Sequence, residues 1–67
     1  MTIWVNQEAQ EYPAPLSLDK LLQQLGKADK TGIAVAVNNQ VISKSSWVDT
    51  TIQNQDKITI ITATQGG

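Results

Sequence analysis

The chain has 67 residues, a net charge of -1, 40% hydrophobic residues, and neither cysteine nor histidine. That length suits one small domain near the lower limit for a self-sufficient core. The missing side chains exclude disulfides, thiol chemistry, the commonest metal ligand and the usual general base. Near-neutral charge offers no nucleic-acid or membrane surface, and no apolar run approaches the roughly 20 residues of a membrane span. With no signal-like opening either, the composition predicts a soluble cytosolic protein.

Residues 2–6, with Thr2, Ile3, Trp4 and Val5, predict a first strand rich in β-branched and aromatic side chains. Alternation places Ile3 and Val5 on one face and Trp4 on the other, where it is expected to cover the sheet rather than bind a partner. A polar turn over residues 6–9 is expected to lead into a short antiparallel return at Gln10, Glu11 and Tyr12. Pro13 and Pro15 end that hairpin, because neither can donate to a ladder.

One helix is predicted over 18–25, since Leu18, Leu21, Leu22 and Leu25 form a single apolar stripe at i, i+3, i+4 and i+7. Ser17 is its N-cap and Asp19 complements the dipole in the first turn. Leu16 and Leu21 stand at the spacing of a hydrophobic staple. Lys20 occupies the position a capping box would give to Glu or Gln, and Gly26 is placed to stop the helix.

A polar loop through Lys30, Thr31 and Gly32 precedes a third strand at Ile33–Val37, with large side chains on one face and alanines on the other. Asn38-Asn39 suits a tight turn, because asparagine tolerates positive φ. Residues 40–43 return as a fourth strand. Ser45, Ser46, Trp47 and Val48 come next as an irregular stretch anchored by Trp47. The polar segment 49–56 contains Ile52 and ends in an Asn54-Gln55-Asp56 turn. A last strong strand is expected over 57–63, with Ile58 and Ile60 on one face and Thr59, Ile61 and Ala63 on the other.

A single helix covers one face of a mixed sheet and leaves the other face partly open. The right-handed crossover rule places the later strands beyond the first one, so the last strand lies beside it, parallel and central. The fold class is therefore α+β, a ubiquitin-like β-grasp with four to five strands. The domain is expected over residues 1–63, with 64–67 as a flexible tail. Two of the four glycines are the final residues, Gly66-Gly67. Lacking Cβ, they suit passage through a narrow channel, although a frayed end is the plain alternative. The open face beside Ile61 and Ala63 is the expected docking surface, with Lys44 and Lys57 as solvated charges.

These residues resemble the ThiS family of sulfur carriers of thiamin (thiazole) biosynthesis. The resemblance rests on Ile3-Trp4-Val5-Asn6-Gln7-Glu8, on Leu21-Leu22 with Leu25, and on the run from Ala34 through Asn38-Asn39 to Ile42. Trp47, the acidic turn at Asp56 and the terminal Gly66-Gly67 complete it. Two positions depart from the family pattern. Ser43-Lys44 stands where Pro-Arg is frequent, and Gln55-Asp56 where Gly-Asp is usual. The resemblance implies that Gly67, presented on a tail of Thr64, Gln65 and Gly66, is adenylylated and converted to a thiocarboxylate. It implies a ThiF-type adenylyltransferase that uses ATP, a ThiG-type thiazole synthase, and sulfur derived from a cysteine desulfurase. The chain itself is then no enzyme and holds no cofactor. The competing implications are the small subunit of molybdopterin synthase, a ubiquitin-like modifier of protein lysines, and an interaction module with an inert tail.

Overall fold

The structure, a computed structural model, describes residues 1–27 and 32–62. Strand β1 (Thr2–Val5) turns back into β2 (Glu8–Glu11) through Asn6 and Gln7, whose φ values are 49° and 72°. Positive φ at both central residues is the signature of a type I′ hairpin, whose twist matches that of its strands. This two-residue turn draws Glu8 and Ala9 into the ladder, opposite Val5 and Trp4. The return strand thus begins two residues before Gln10, because the compact turn outweighs the polar character of Glu8. Tyr12 still closes the hairpin: its N–H donates to Met1 O at 3.0 Å, and the Met1 ammonium donates to Tyr12 O at 2.7 Å.

The helix α1 (Leu18–Gln24) starts where the sequence places it. Ser17 Oγ accepts from the Lys20 N–H at 3.2 Å, satisfying one of the orphan donors of the first turn. Two more are met from a distant loop, with Leu18 N–H on Thr50 O at 2.8 Å and Asp19 N–H on Trp47 O at 3.2 Å. At the other end Leu25 is the C-cap and Gly26 takes φ 73°. Lys27 N–H reaches Leu22 O and Gly26 N–H reaches Gln23 O, the bond pair of a Schellman stop.

Strand β3 (Leu16–Ser17) was not expected. It pairs antiparallel with β6 (Thr51–Ile52), Leu16 opposite Ile52. Leu16 and Ile52 are both buried, so this short ladder closes the core beside the helix start. A two-residue strand has too few side chains for a period to show, and each stretch gains strand character only from its remote partner.

The main sheet adds β4 (Ile33–Val37), β5 (Gln40–Ile42) and β7 (Lys57–Thr62), in the order β2-β1-β7-β4-β5. As the crossover argument requires, β7 runs parallel to β1 and is central; its other neighbour, β4, is antiparallel. Asn38 and Asn39 turn β4 into β5 at φ 52° and 70°. Between β5 and β6 a 3-10 turn at Lys44–Ser46 delivers Trp47 into the core. Its indole N–H donates to Ile42 O at 3.1 Å, so the ring is buried with its polar atom satisfied. Leu18, Leu21 and Leu22 are fully buried and form one cluster with Ile3, Val5, Val35, Ile58 and Ile60. The helix therefore sits on one face of the sheet only.

Candidate functional site

The candidate site is the end of β7 together with the sheet face turned away from the helix. Ile58 and Ile60 point inward, which forces Thr59 and Ile61 outward, and Ile61 is 59% exposed. The register carries this outer row across the sheet: Ala34 lies opposite Ile61, Ala36 opposite Thr59, and Val41 opposite Ala36. Val41 is 72% exposed. The alanines keep the middle of the face low, while Ile61 and Val41 rise on either side. Such a shallow apolar pad on a small domain is suited to a partner surface.

Trp4 and Lys57 are paired on this same face, at the opposite end of β7 from Ile61. With Gln7 they line a shallow depression. Trp4 is 37% exposed, so it covers part of the sheet as expected and leaves the rest of its ring to solvent. Lys44 and Lys57 are both exposed. Ile61 was singled out from the sequence. Ala34, Ala36 and Val41 were not, though the alternation in 33–37 carried the signal: alanine fills every outward position.

Polar side chains hold β7 in place from both sides. Asn38 Oδ1 accepts from Lys57 N–H at 3.0 Å, and Asn38 Nδ2 donates to Asp56 Oδ1 at 2.9 Å. The second oxygen of Asp56 accepts from Gln53 N–H at 2.8 Å. Further along, Asn6 Oδ1 accepts from Ile60 N–H at 2.8 Å. The turn into β7 has Gln55 at φ 73°, the conformation that glycine adopts without strain. Its N–H donates to Thr2 O at 2.6 Å, locking the turn onto β1. Ser43 has φ -68°, the value a proline ring imposes, so the chain keeps a proline-like backbone there without proline.

The remaining expected site residues, Ala63, Thr64, Gln65, Gly66 and Gly67, lie outside the described residues, as do Lys30 and Thr31 of the expected loop. Among the described residues no group of His, Cys, Asp and Glu is placed to hold a metal ion. No helix there is long and apolar enough to cross a membrane.

Comparison with known proteins agrees with this geometry. The ThiS family model matches residues 3–67, which includes the Gly66-Gly67 pair. Over 67 residues the chain is 30% identical to the sulfur carrier protein ThiS of Escherichia coli (strain K12), covering 100% of both. It is also 30% identical over 67 residues to a thiazole synthase of Paramagnetospirillum magneticum (strain ATCC 700264 / AMB-1), but spans only 20% of that protein. Among solved structures, the crystal structure of a thiamine biosynthesis protein (ThiS) from Geobacter metallireducens superposes with a TM-score of 0.85 at 23% identity, over 100% of both chains. An NMR structure of a thiamine biosynthesis protein from the same organism gives 0.80 at 23% identity, over 100% of this chain and 88% of the other.

Proposed function

The chain belongs to the ThiS family of sulfur carrier proteins, and on that premise we propose that it carries sulfur for thiamine biosynthesis as a thiocarboxylate on Gly67. The observation that carries this reading is chemical. A sulfur carrier without cysteine cannot hold sulfur as a side-chain persulfide. The carboxylate after Gly66-Gly67 is the group whose flanking residues leave it unobstructed, since neither glycine has a Cβ.

A carboxylate is a poor electrophile, so a ThiF-type adenylyltransferase first converts it to an acyl-adenylate, releasing pyrophosphate from ATP. Persulfide sulfur derived from a cysteine desulfurase displaces AMP. Cleavage of the resulting S–S bond by a thiol then leaves the thiocarboxylate. A ThiG-type thiazole synthase receives the sulfur. The match of this whole chain to one part of a longer thiazole synthase supports that partner, because it puts a similar domain in one polypeptide with that activity. The chain is a substrate and a docking surface, not an enzyme. It holds no cofactor, and ATP belongs to the activating partner. We place this chemistry in the cytosol.

In this reading residues 64–67 are the reactive tail, and Ile61 and Ala63 belong to the surface that partners grip. The rigid anchoring of β7 between β1 and β4 supports it, because a tail rooted in a central strand is delivered from a fixed point. The family match separates this pathway from the molybdopterin alternative, which shares the tail chemistry.

The test is intact mass after incubation with a ThiF-type enzyme, ATP and a persulfide donor. The chain gains about 16 Da, oxygen replaced by sulfur in an acyl transfer. Deleting Gly67 shortens the reach by about 3.3–3.6 Å, beyond the tolerance of a preorganised reaction geometry. The truncated chain folds and binds but is not adenylylated. Equal modification of both chains, or none of the full-length chain, refutes the carrier reading.

A further inference from the structure

Strand β1 leaves β7 before β7 ends. The parallel ladder contains Trp4 opposite Lys57 and Val5 opposite Ile58, after which the chain turns away at Asn6 and Gln7. Asn6 N–H donates to Ile58 O at 2.9 Å, and its side chain then supplies one more acceptor, Oδ1, to Ile60 N–H. On this side of β7 the even-numbered residues present their backbone groups; the odd-numbered ones face β4. The next groups in the row are the Ile60 carbonyl and the Thr62 N–H and carbonyl. Among the described residues none of these three meets a backbone or side-chain partner on that side. Yet β7 stays a strand there, since Ile33 of β4 pairs with Thr62 across the other edge. The result is a short preformed edge, closed at its base by Asn6.

We propose that this edge, from the Ile60 carbonyl to Thr62, is a strand-addition site filled by an extended backbone segment of the activating adenylyltransferase; the proposal rests on the carrier reading above. A carbonyl, an amide and a carbonyl at strand spacing match an extended peptide, whose own groups alternate at the same interval. The edge also leads straight into the sequence that must be delivered. Residues 63–67 are Ala, Thr, Gln, Gly and Gly, with no large apolar side chain and no charged one. A segment so poor in side-chain handles is recognised through its backbone, and strand pairing begun at Thr62 sets the register of residues 63–67.

Amide exchange followed by NMR tests the idea on the full chain, free and with the adenylyltransferase and ATP. In the free chain Thr62 N–H exchanges quickly; in the complex it slows by about tenfold or more, as an opening-limited hydrogen bond requires. A chemically synthesised chain with an ester in place of the Thr62 amide removes this donor and keeps the side chain. It binds about 3–10-fold more weakly, the effect of one net hydrogen bond, with the free fold unchanged. If the complex forms and Gly67 is adenylylated while Thr62 stays unprotected, or the ester binds as tightly, the strand-addition proposal falls alone. Concentration-dependent protection of Thr62 in the free chain assigns the edge to a second copy and also overturns it. If no complex and no adenylylation are found, the carrier reading falls and takes the proposal with it.

Discussion

Replacing Asn6 separates two effects that the structure combines in one residue. Its Oδ1 is the acceptor for Ile60 N–H at 2.8 Å, and its backbone sits at φ 49°. Leaving a partly buried N–H unsatisfied costs about 1–2 kcal/mol, the lower part of the range for buried groups. Holding alanine in the left-handed region costs about 1 kcal/mol more than holding asparagine, whose short polar side chain tolerates it. Asn6→Ala therefore destabilises by roughly 2–3 kcal/mol, against about 3–10 kcal/mol of total stability for a domain of this size. The melting temperature falls by roughly 8–24 °C, at about 4–8 °C per kcal/mol. Asn6→Gly removes the φ term but not the lost acceptor, and settles at about 1–2 kcal/mol. Asn6→Asp keeps an acceptor and stays within about 0.5 kcal/mol of the parent. Urea unfolding followed by fluorescence of Trp4 and Trp47 reads all three, with an unchanged m-value confirming the same two states. If the alanine and glycine variants both match the parent, the Asn6–Ile60 bond contributes nothing. If they match each other but not the parent, the φ argument is wrong.

Leu22 is fully buried under the sheet, so Leu22→Ala costs about 2–5 kcal/mol, and parent-like melting would contradict its place in the core. Ile61→Asp replaces exposed apolar area by a charge. It weakens binding to the adenylyltransferase by about tenfold or more in calorimetry while shifting stability by less than about 1 kcal/mol, and equal affinity would remove Ile61 from the docking surface. Gln55 at φ 73° makes Gln55→Gly neutral or up to about 1 kcal/mol stabilising, whereas Gln55→Val costs more than about 1 kcal/mol. Equal melting of those two variants would show that the turn relaxes.

Much of this molecule was legible in the residues alone. The leucine stripe, Ser17 and Gly26 specify the helix and both its ends through contacts within a few residues. The alternation in 57–62 separates Ile58 and Ile60 from Ile61, because strand side chains take opposite faces at every step. Connection rules place the last strand parallel to the first, as the structure has it, and the resemblance carried by these residues to the ThiS family agrees with the family match. What escaped the sequence depends on partners far along the chain. Leu16 and Ile52 become a ladder only when residues 36 apart meet. Glu8 joins a strand because Asn6 and Gln7 close the turn in two residues. The open pad of Ala34, Ala36, Val41 and Ile61 spans three strands, and only the sheet register brings its members side by side. The edge at Ile60 and Thr62, unpaired on the β1 side among the described residues, is subtler still. It exists because β1 turns away while β4 continues, a difference in strand length that no local pattern encodes.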